Sequence, residues 1–376
     1  MLDVIVVGAG PAGSIAALML ARAGARVCVL EREVMPRPKL CGDTLNPGAV
    51  ATLAAIGLEG GPLSGAVRLR GMLVTGPRSS VRAVYEWNQA ALSVSRVELD
   101  HWLAQSAVAA GARLECGVRV VGPLWRDEDG LAVVAGVEIG GTDKTVRIPA
   151  SITIAADGRQ SVLARAANLI WHPKKPRRWA FGVYATDVAG MSDVGEMHVR
   201  AGHYIGLAPL GGGLTNICVV TQQRSASGTA EQVIRRTLSG DRQLRARTDS
   251  LRATGPPRVL GPLAVDCRAP GVAGLLLAGD AAGFIDPATG DGTHLAIRGG
   301  LLAAAAALEA LEDRDLTGAV LRLAASRRAE LGSKLRFNRW MRRLSSSRTA
   351  LEAVSVGARM APSVVRRIVT YAGDAE

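Results

Sequence analysis

The stretch "LDVIVVGAGPAGSIAALMLARAGARVCVLER", residues Leu2–Arg32, decides the fold. Val4 to Val7 form a short apolar run, as expected of a strand buried on both faces. Gly8, Gly10 and Gly13 follow at once in G-x-G-x-x-G spacing. Pro11 suits the first turn of a helix, where its missing N–H leaves nothing unsatisfied. Ala12, Ile15, Ala16, Met19 and Ala23 then recur at helical spacing, and Gly24 stops the helix. Val27 to Leu30 form a second buried strand that ends in Glu31. Strand, glycines, helix, strand and acid in this order predict a dinucleotide site.

Each position has a physical reason. Gly8 permits the tight turn, Gly10 lets a diphosphate approach the backbone, and Gly13 lets helix and strand pack closely. Gly8, Gly10, Pro11, Ala12 and Gly13 are the candidate diphosphate seat, at a helix start that offers free N–H groups and partial positive charge. Glu31 stands 18 residues beyond Gly13. A carboxylate there accepts hydrogen bonds from ribose hydroxyls. Arg32, beside it, is a further cofactor candidate.

Bulk properties set the frame. A chain of 376 residues allows two or three domains. With 48% hydrophobic residues it can bury a large core, which excludes global disorder. The 5 cysteines are scattered, and neither they nor His101, His172, His198, His203 and His294 show metal-ligand spacing, so no metal is expected. A reduced, cytoplasmic setting is the expectation. The formal charge of +12 favours anionic partners: a phosphorylated substrate, an anionic membrane face or nucleic acid. No basic stretch precedes Leu2, so no signal peptide is expected. The longest apolar run, Leu301 to Leu308, falls far short of the ~20 residues of a membrane span.

Three later segments narrow the cofactor. "SVSRVELDHWLAQSAVAAGARLECGVRVVG" (Ser93–Gly122) predicts a helix from about Val97 to Ala110 and then a strand pair, with Arg96 just before the helix. "ITIAADGRQSVLAR" (Ile152–Arg165) is a buried strand ending at Asp157–Gly158, with Ser161 capping a helix. In "GLLLAGDAAGFIDPATGDGTH" (Gly274–His294) a strand from Leu275 to Ala278 runs into Gly279–Asp280. A Gly/Pro-rich loop follows, and an apolar helix begins near Gly292. A helix start at Gly292–Thr293 would stabilise negative charge on a reduced flavin. No second G-x-G-x-x-G has strand context, so a nicotinamide cofactor, NAD(P)H, would bind only transiently.

Together these blocks resemble the flavoprotein superfamily of p-hydroxybenzoate hydroxylase and the geranylgeranyl reductases. The resemblance implies FAD. It implies that Arg96 and Asp280 contact the cofactor, that Asp157 and Gly279 lie near it, and that backbone near Val120 touches the adenine. It also implies that the loop with Pro287, Gly290, Asp291, Gly292 and Thr293 faces the isoalloxazine. "KLCGD", Lys39 to Asp43, resembles the reductase branch, whose loop lies beside the flavin. Lys39, Cys41 and Gly42 are then cofactor neighbours, and Cys41 and Asp43 the candidate catalytic pair. Cys41 could position substrate, tune the flavin or donate a proton.

Residues 66–90 and 170–262 do not fit the nucleotide pattern. "RWAFGVYATDV" alternates as a half-buried strand, and "HYIGLAPLGGGLTNICVV" predicts two strands joined through Gly211–Gly213. An antiparallel sheet over the flavin would make an apolar pocket, with Phe181, Tyr204 and Pro209 as candidate wall residues. The reductases carry a Tyr-x-Trp-x-Phe-Pro pattern here. Gly206 and Ala208 replace its Trp and Phe, implying a differently shaped cavity.

From about Leu316 the chain is predicted helical, and Arg336, Arg339, Arg342 and Arg343 cluster around Phe337 and Trp340. Such a helix can rest on an anionic membrane or pack its apolar side inward. Nucleic-acid binding is not expected, because no recognition motif is present.

The expected fold is α/β. A discontinuous Rossmann-like FAD-binding domain (1–65, 91–169, 263–315) carries an antiparallel-sheet substrate domain (66–90, 170–262) and a C-terminal helical region (316–376). The expected activity is geranylgeranyl-reductase-like: hydride transfer from reduced FAD to a C=C bond of a hydrophobic small molecule. The alternatives are an NAD(P)H- and O2-dependent flavin monooxygenase, and a non-catalytic basic membrane- or nucleic-acid-binding protein.

Overall fold

A computed structural model describes residues 2–86, 89–141, 144–174, 177–222, 228–344 and 347–374. The opening stretch folds as the strand Leu2–Val7, the helix Pro11–Arg22 and the strand Val27–Glu31. These strands lie at the centre of a sheet ordered Gly271–Val272, Leu275–Leu277, Thr145–Ala155, Leu2–Val7, Val27–Glu31, Arg113–Cys116. The pairings from Leu275–Leu277 through Arg113–Cys116 are parallel. Val4 to Val7 and Val27 to Leu30 are all buried, as a parallel sheet covered on both faces requires. Thr145–Ala155 runs beyond the sheet to pair antiparallel with Leu131–Gly140.

Helix Pro11–Arg22 packs against Arg96–Ala109 and Gly292–Asp313 in one core that includes Ile15, Leu18, Leu20, Leu99, Leu103 and Ile297. Each fully buried Leu or Ile adds about 1.5–3 kcal/mol. The approach is close because Gly300 has no side chain: a Cβ there would overlap the carbonyl of Ala12. The apolar composition of Gly292–Asp313 serves this packing. By length and composition the helix could cross a bilayer, which the shorter run Leu301–Leu308 did not suggest; half of its apolar window is buried in the protein.

A second sheet is ordered Arg252–Ala253, Trp179–Thr186, Leu214–Thr221, His203–Gly211, Gly195–Arg200, Gly71–Thr75, Ser80–Val84. It is antiparallel except where Gly195–Arg200 runs parallel to Gly71–Thr75. Both faces are covered. One packs on the helix Ala230–Gly240 through Ile234 and Leu238, and the other turns to the nucleotide-fold side. The chain then forms the helices Leu316–Leu344, Arg348–Met360 and Pro362–Gly373.

Candidate functional site

The glycine turn is sterically obligatory. Gly8 has φ +100°, and a Cβ there would stand 2.6 Å from the Ala156 carbonyl oxygen. A Cβ on Gly13 would overlap the Gly8 oxygen. Gly10 is open, its nearest neighbour being an Arg37 nitrogen 3.8 Å from where a Cβ would stand. No side chain caps the helix that starts at Pro11, so its first N–H groups are left for a bound anion.

Glu31 braces this turn. Its Oε2 accepts the Ala9 N–H at 2.9 Å and pairs with Arg37 at 3.2 Å. Arg37 bridges onward to Asp100 at 3.0 Å, and Arg96 holds Asp100 through two bonds of 2.6 and 2.9 Å. Burial works against the charge of Arg96, but Asp100 and the Cys41 thiol outweigh it and hold the guanidinium above its ordinary range. Sequence reasoning missed Arg37 and Asp100. The available signal was Asp100 standing four residues after Arg96 on one helix face.

A cavity of about 330 Å³ opens from this turn. Of the expected cofactor residues, Gly10, Pro11, Ala12, Lys39, Cys41, Gly42, Arg96, Gly279, Asp280, Gly290, Gly292 and Thr293 line it. Asp280 is pushed up by burial, opposed by Lys39, Arg159 and Arg96. Lys39 is lowered by burial and by Arg96. Arg159, not anticipated, is held by the carbonyls of Pro262 and Leu263. A cationic rim, uncapped helix N–H groups and an unobstructed Gly10 fit FAD, whose diphosphate needs all three.

Asp157, Asp291, Val120, Arg32 and Asp43 stand off the cavity. Asp157 is half-buried and accepts the Val162 N–H at 2.9 Å, while its Oδ1 has no partner among the described residues. Asp291 is buried against Asn338 at 2.9 and 3.1 Å. Pro287 opens the short turn Pro287–Thr289. Val120 packs in the core with Val134 and Val137. The Arg32 side chain is 70% exposed and pairs with Glu33. Asp43 is 1% exposed and sits behind the Cys41 loop. It has φ +53°, a left-handed conformation uncommon outside glycine. Tyr184 and Asn216 each donate to its Oδ2 at 2.6 Å, and the Arg96 N–H donates to Oδ1 at 3.2 Å. Burial outweighs these bonds and pushes the carboxyl up to about 6. Asn216 also donates to the Cys41 carbonyl at 2.8 Å, so the strand Leu214–Thr221 fixes the loop.

Tyr204 lines the cavity; Phe181 and Pro209 do not. Phe181 packs on the opposite face with Ile205, Ile217 and Val219, and Ala180 faces the cavity instead. Alternation misassigned it because both faces of this strand are buried. Ala208, not Pro209, reaches the cavity. Tyr204 is fixed by Asp286, which accepts its hydroxyl at 2.7 Å and pairs with buried Arg178 at 2.8 Å. Burial and Asp286 raise the Tyr204 phenol well above its ordinary range. Met197 faces Gly206 across the strands, 3.9 Å from where a Cβ would stand. Phe337, Met341, Val365, Ile368 and Val369, from helices past residue 315, complete an apolar wall.

Comparison with known proteins agrees with this geometry. The sequence model of the FAD binding domain family matches residues 1–315. The chain is 34% identical over 336 residues to a menaquinone reductase of Mycobacterium tuberculosis, covering 84% of this chain and 77% of that one. It is 32% identical to digeranylgeranylglycerophospholipid reductase 2 of Methanopyrus kandleri, covering 85% and 80%. A geranylgeranyl bacteriochlorophyll reductase-like protein of Thermoplasma acidophilum shares the fold, with a TM-score of 0.81 at 23% identity over 94% of this chain and 90% of that one. The chain therefore belongs to the FAD binding domain family and is an FAD-dependent oxidoreductase.

Proposed function

We propose that this oxidoreductase reduces a C=C bond in an isoprenoid-bearing lipid; its relatives are named menaquinone reductase and digeranylgeranylglycerophospholipid reductase. One observation carries the reading: the cavity that begins at the glycine turn continues into a chamber walled by Met72, Val74, Met197, Val199, Val220 and Leu260. Such a wall binds by removing apolar surface from water and offers little to a polar substrate.

Bound FAD supplies the hydride. The helix start at Gly10–Ala12 takes the diphosphate, with Gly8 and Gly13 shaping its seat. Glu31 holds the ribose, and Lys39, Arg96, Gly279 and Asp280 hold the chain between ribose and ring. Gly290, Gly292 and Thr293 offer backbone to the ring edge, and Asp291, Asp157 and Pro287 shape the turns behind it. Cys41 meets the substrate and Asp43 positions the Cys41 loop. Tyr204 is a wall residue, its proton committed to Asp286. On this reading the nucleotide fold (1–65, 91–169, 263–315), the second sheet (66–90, 170–262) and the helices from 316 act as three units. A nicotinamide would bind only transiently and would supply the electrons.

The same reading gives the C-terminal helices a peripheral membrane contact at the cytoplasmic face. Trp340 is 50% exposed, Val364 54% and Met360 83%. Arg336, Arg339, Arg343, Arg366 and Arg367 are exposed on the same helices. Apolar side chains flanked by arginine suit an anionic lipid surface.

The test is anaerobic turnover of a menaquinone and of a geranylgeranyl lipid by dithionite-reduced holoenzyme, with products weighed by mass spectrometry. After any quinol is reoxidised in air, the expected product carries two added hydrogens in its isoprenoid chain. A product formed only in air and heavier by one oxygen would make the protein a monooxygenase.

A further inference from the structure

The outer wall of the chamber is one face of the last helix. Pro362–Gly373 presents Val365, Ile368, Val369, Ala372 and Gly373 to the cavity, the i, i+3, i+4, i+7 stripe of a single helical side. Val364, Arg366 and Arg367 are exposed on the other side. Val365 and Val369 also pack on Leu69, Ala83 and Tyr85. The match to the FAD-binding family ends at residue 315, so this wall lies outside the shared unit.

The end of the helix is fastened beside the flavin loop. Asp374, in the left-handed conformation at φ +50°, pairs with His294 Nδ1 at 2.8 Å and with Lys334 Nζ at 2.8 Å. His294 is the third residue of the helix that Gly292 opens, and its Nε2 meets Thr52 Oγ1 at 3.2 Å. Lys334, 5% exposed, also donates to the Tyr371 carbonyl and lies 4.8 Å from the Tyr371 ring centroid. Asn46 donates to the Ala372 carbonyl at 3.3 Å. Gly48 makes room for the clasp: a Cβ there would stand 2.5 Å from Asp374 Cβ and 2.7 Å from His294 Cε1. Three helices thus meet at one carboxylate. The residue two places before it, Ala372, faces the cavity beside Asn46 and Thr293.

Taking the isoprenoid substrate from the reading above, we infer that Asp374 is a positioning residue that seats Pro362–Gly373, and that Ala372 is a specificity-determining residue for the end of the substrate nearest the flavin loop. A methyl at 372 leaves that end of the chamber open. A large side chain there fills it. Loss of the Asp374 carboxylate leaves Lys334 buried with one anionic partner fewer and releases the helix end.

The experiment uses FAD-loaded Asp374→Ala, Asp374→Glu and Ala372→Phe. It reads hydrogen exchange, iodide quenching of flavin fluorescence, and the flavin spectral change on adding a long or a short isoprenoid alcohol in detergent. Asp374→Ala should speed exchange severalfold in 362–373 and raise quenching, with 11–22 unchanged, and Asp374→Glu should restore part of both. Ala372→Phe should keep wild-type exchange and weaken the long alcohol at least tenfold relative to the short one, about 1.4 kcal/mol or more. Wild-type exchange and quenching in Asp374→Ala, or exchange raised equally in 11–22, would overturn the positioning role. An unchanged long-to-short ratio in Ala372→Phe would overturn the specificity role. Alcohol binding without turnover of any isoprenoid lipid would sink the reductase reading and leave the wall standing. No spectral response to either alcohol in wild-type protein would overturn both.

Discussion

Tyr184 donates its hydroxyl proton to the Asp43 carboxylate across 2.6 Å, linking the second sheet to the loop that carries Cys41. The folded carboxyl keeps its proton up to about 6, against 3.8 in the free side chain. The native state therefore binds more protons between those values, and the stability owed to this group falls as pH rises from about 4 to about 6. Asp43→Asn should flatten that slope by on the order of 2–3 kcal/mol. Urea unfolding of both forms across this window measures it. Parallel curves would show that Asp43 titrates as it does in water.

Glu31→Ala removes the acceptor of the Ala9 N–H and one partner of Arg37. Hydrogen bonds to charged groups contribute about 1.5–3 kcal/mol. The dissociation constant of FAD should therefore rise about 10- to 100-fold. Titration of apoprotein with FAD reads it directly, and wild-type affinity would contradict the bracing role.

Gly13→Ala places a methyl on the Gly8 oxygen. The helix must shift away from the first strand, so the purified variant should be nearly colourless and melt lower than wild type. Full flavin content would mean that the turn can widen without losing its ligand.

Cys41→Ser should lower turnover by at least about tenfold while leaving flavin content unchanged, the pattern of lost proton transfer or substrate positioning. Equal rates would reduce Cys41 to a small residue in a tight loop.

Arg178→Met breaks a buried ion pair and leaves Asp286, beside the flavin loop, with Arg342 as the nearby cation. Removing one partner of such a pair costs about 3–5 kcal/mol. The melting temperature should fall by several degrees, and the Tyr204 phenol should titrate still higher, because Arg178 opposes its rise. An unchanged melting curve would mean that Arg342 takes over the charge.

Much of the nucleotide half was legible because local rules govern it. The positions of Gly8, Gly10 and Gly13 follow from backbone sterics within one strand–turn–helix unit, and so do the bounds of its strands. Arg96 and Asp280 came from ordered blocks. The second half was less legible because its determinants are long-range. Phe181 was assigned to the wrong face, since alternation cannot say which of two buried faces meets a cavity. Asp43 became a loop anchor only when Tyr184 and Asn216 arrived from 141 and 173 residues away. Arg37 looked like one charge in a proline-rich loop until the fold set it between Glu31 and Asp100. The part of the tail in the cavity wall, Val365 to Gly373, carried no signal beyond helical spacing.

The order of the central sheet has a consequence for synthesis. Leu2–Val7 is made about 150 residues before its neighbour Thr145–Ala155, and that strand in turn waits for Leu275–Leu277. Pairings so distant in the chain form slowly and leave strands uncovered meanwhile. The glycine turn is thus translated long before Leu275–Leu277, the strand its sheet waits for, so flavin loads only after that strand has been made. Shortfalls of the vitamin would then show as an accumulating, protease-sensitive apoprotein.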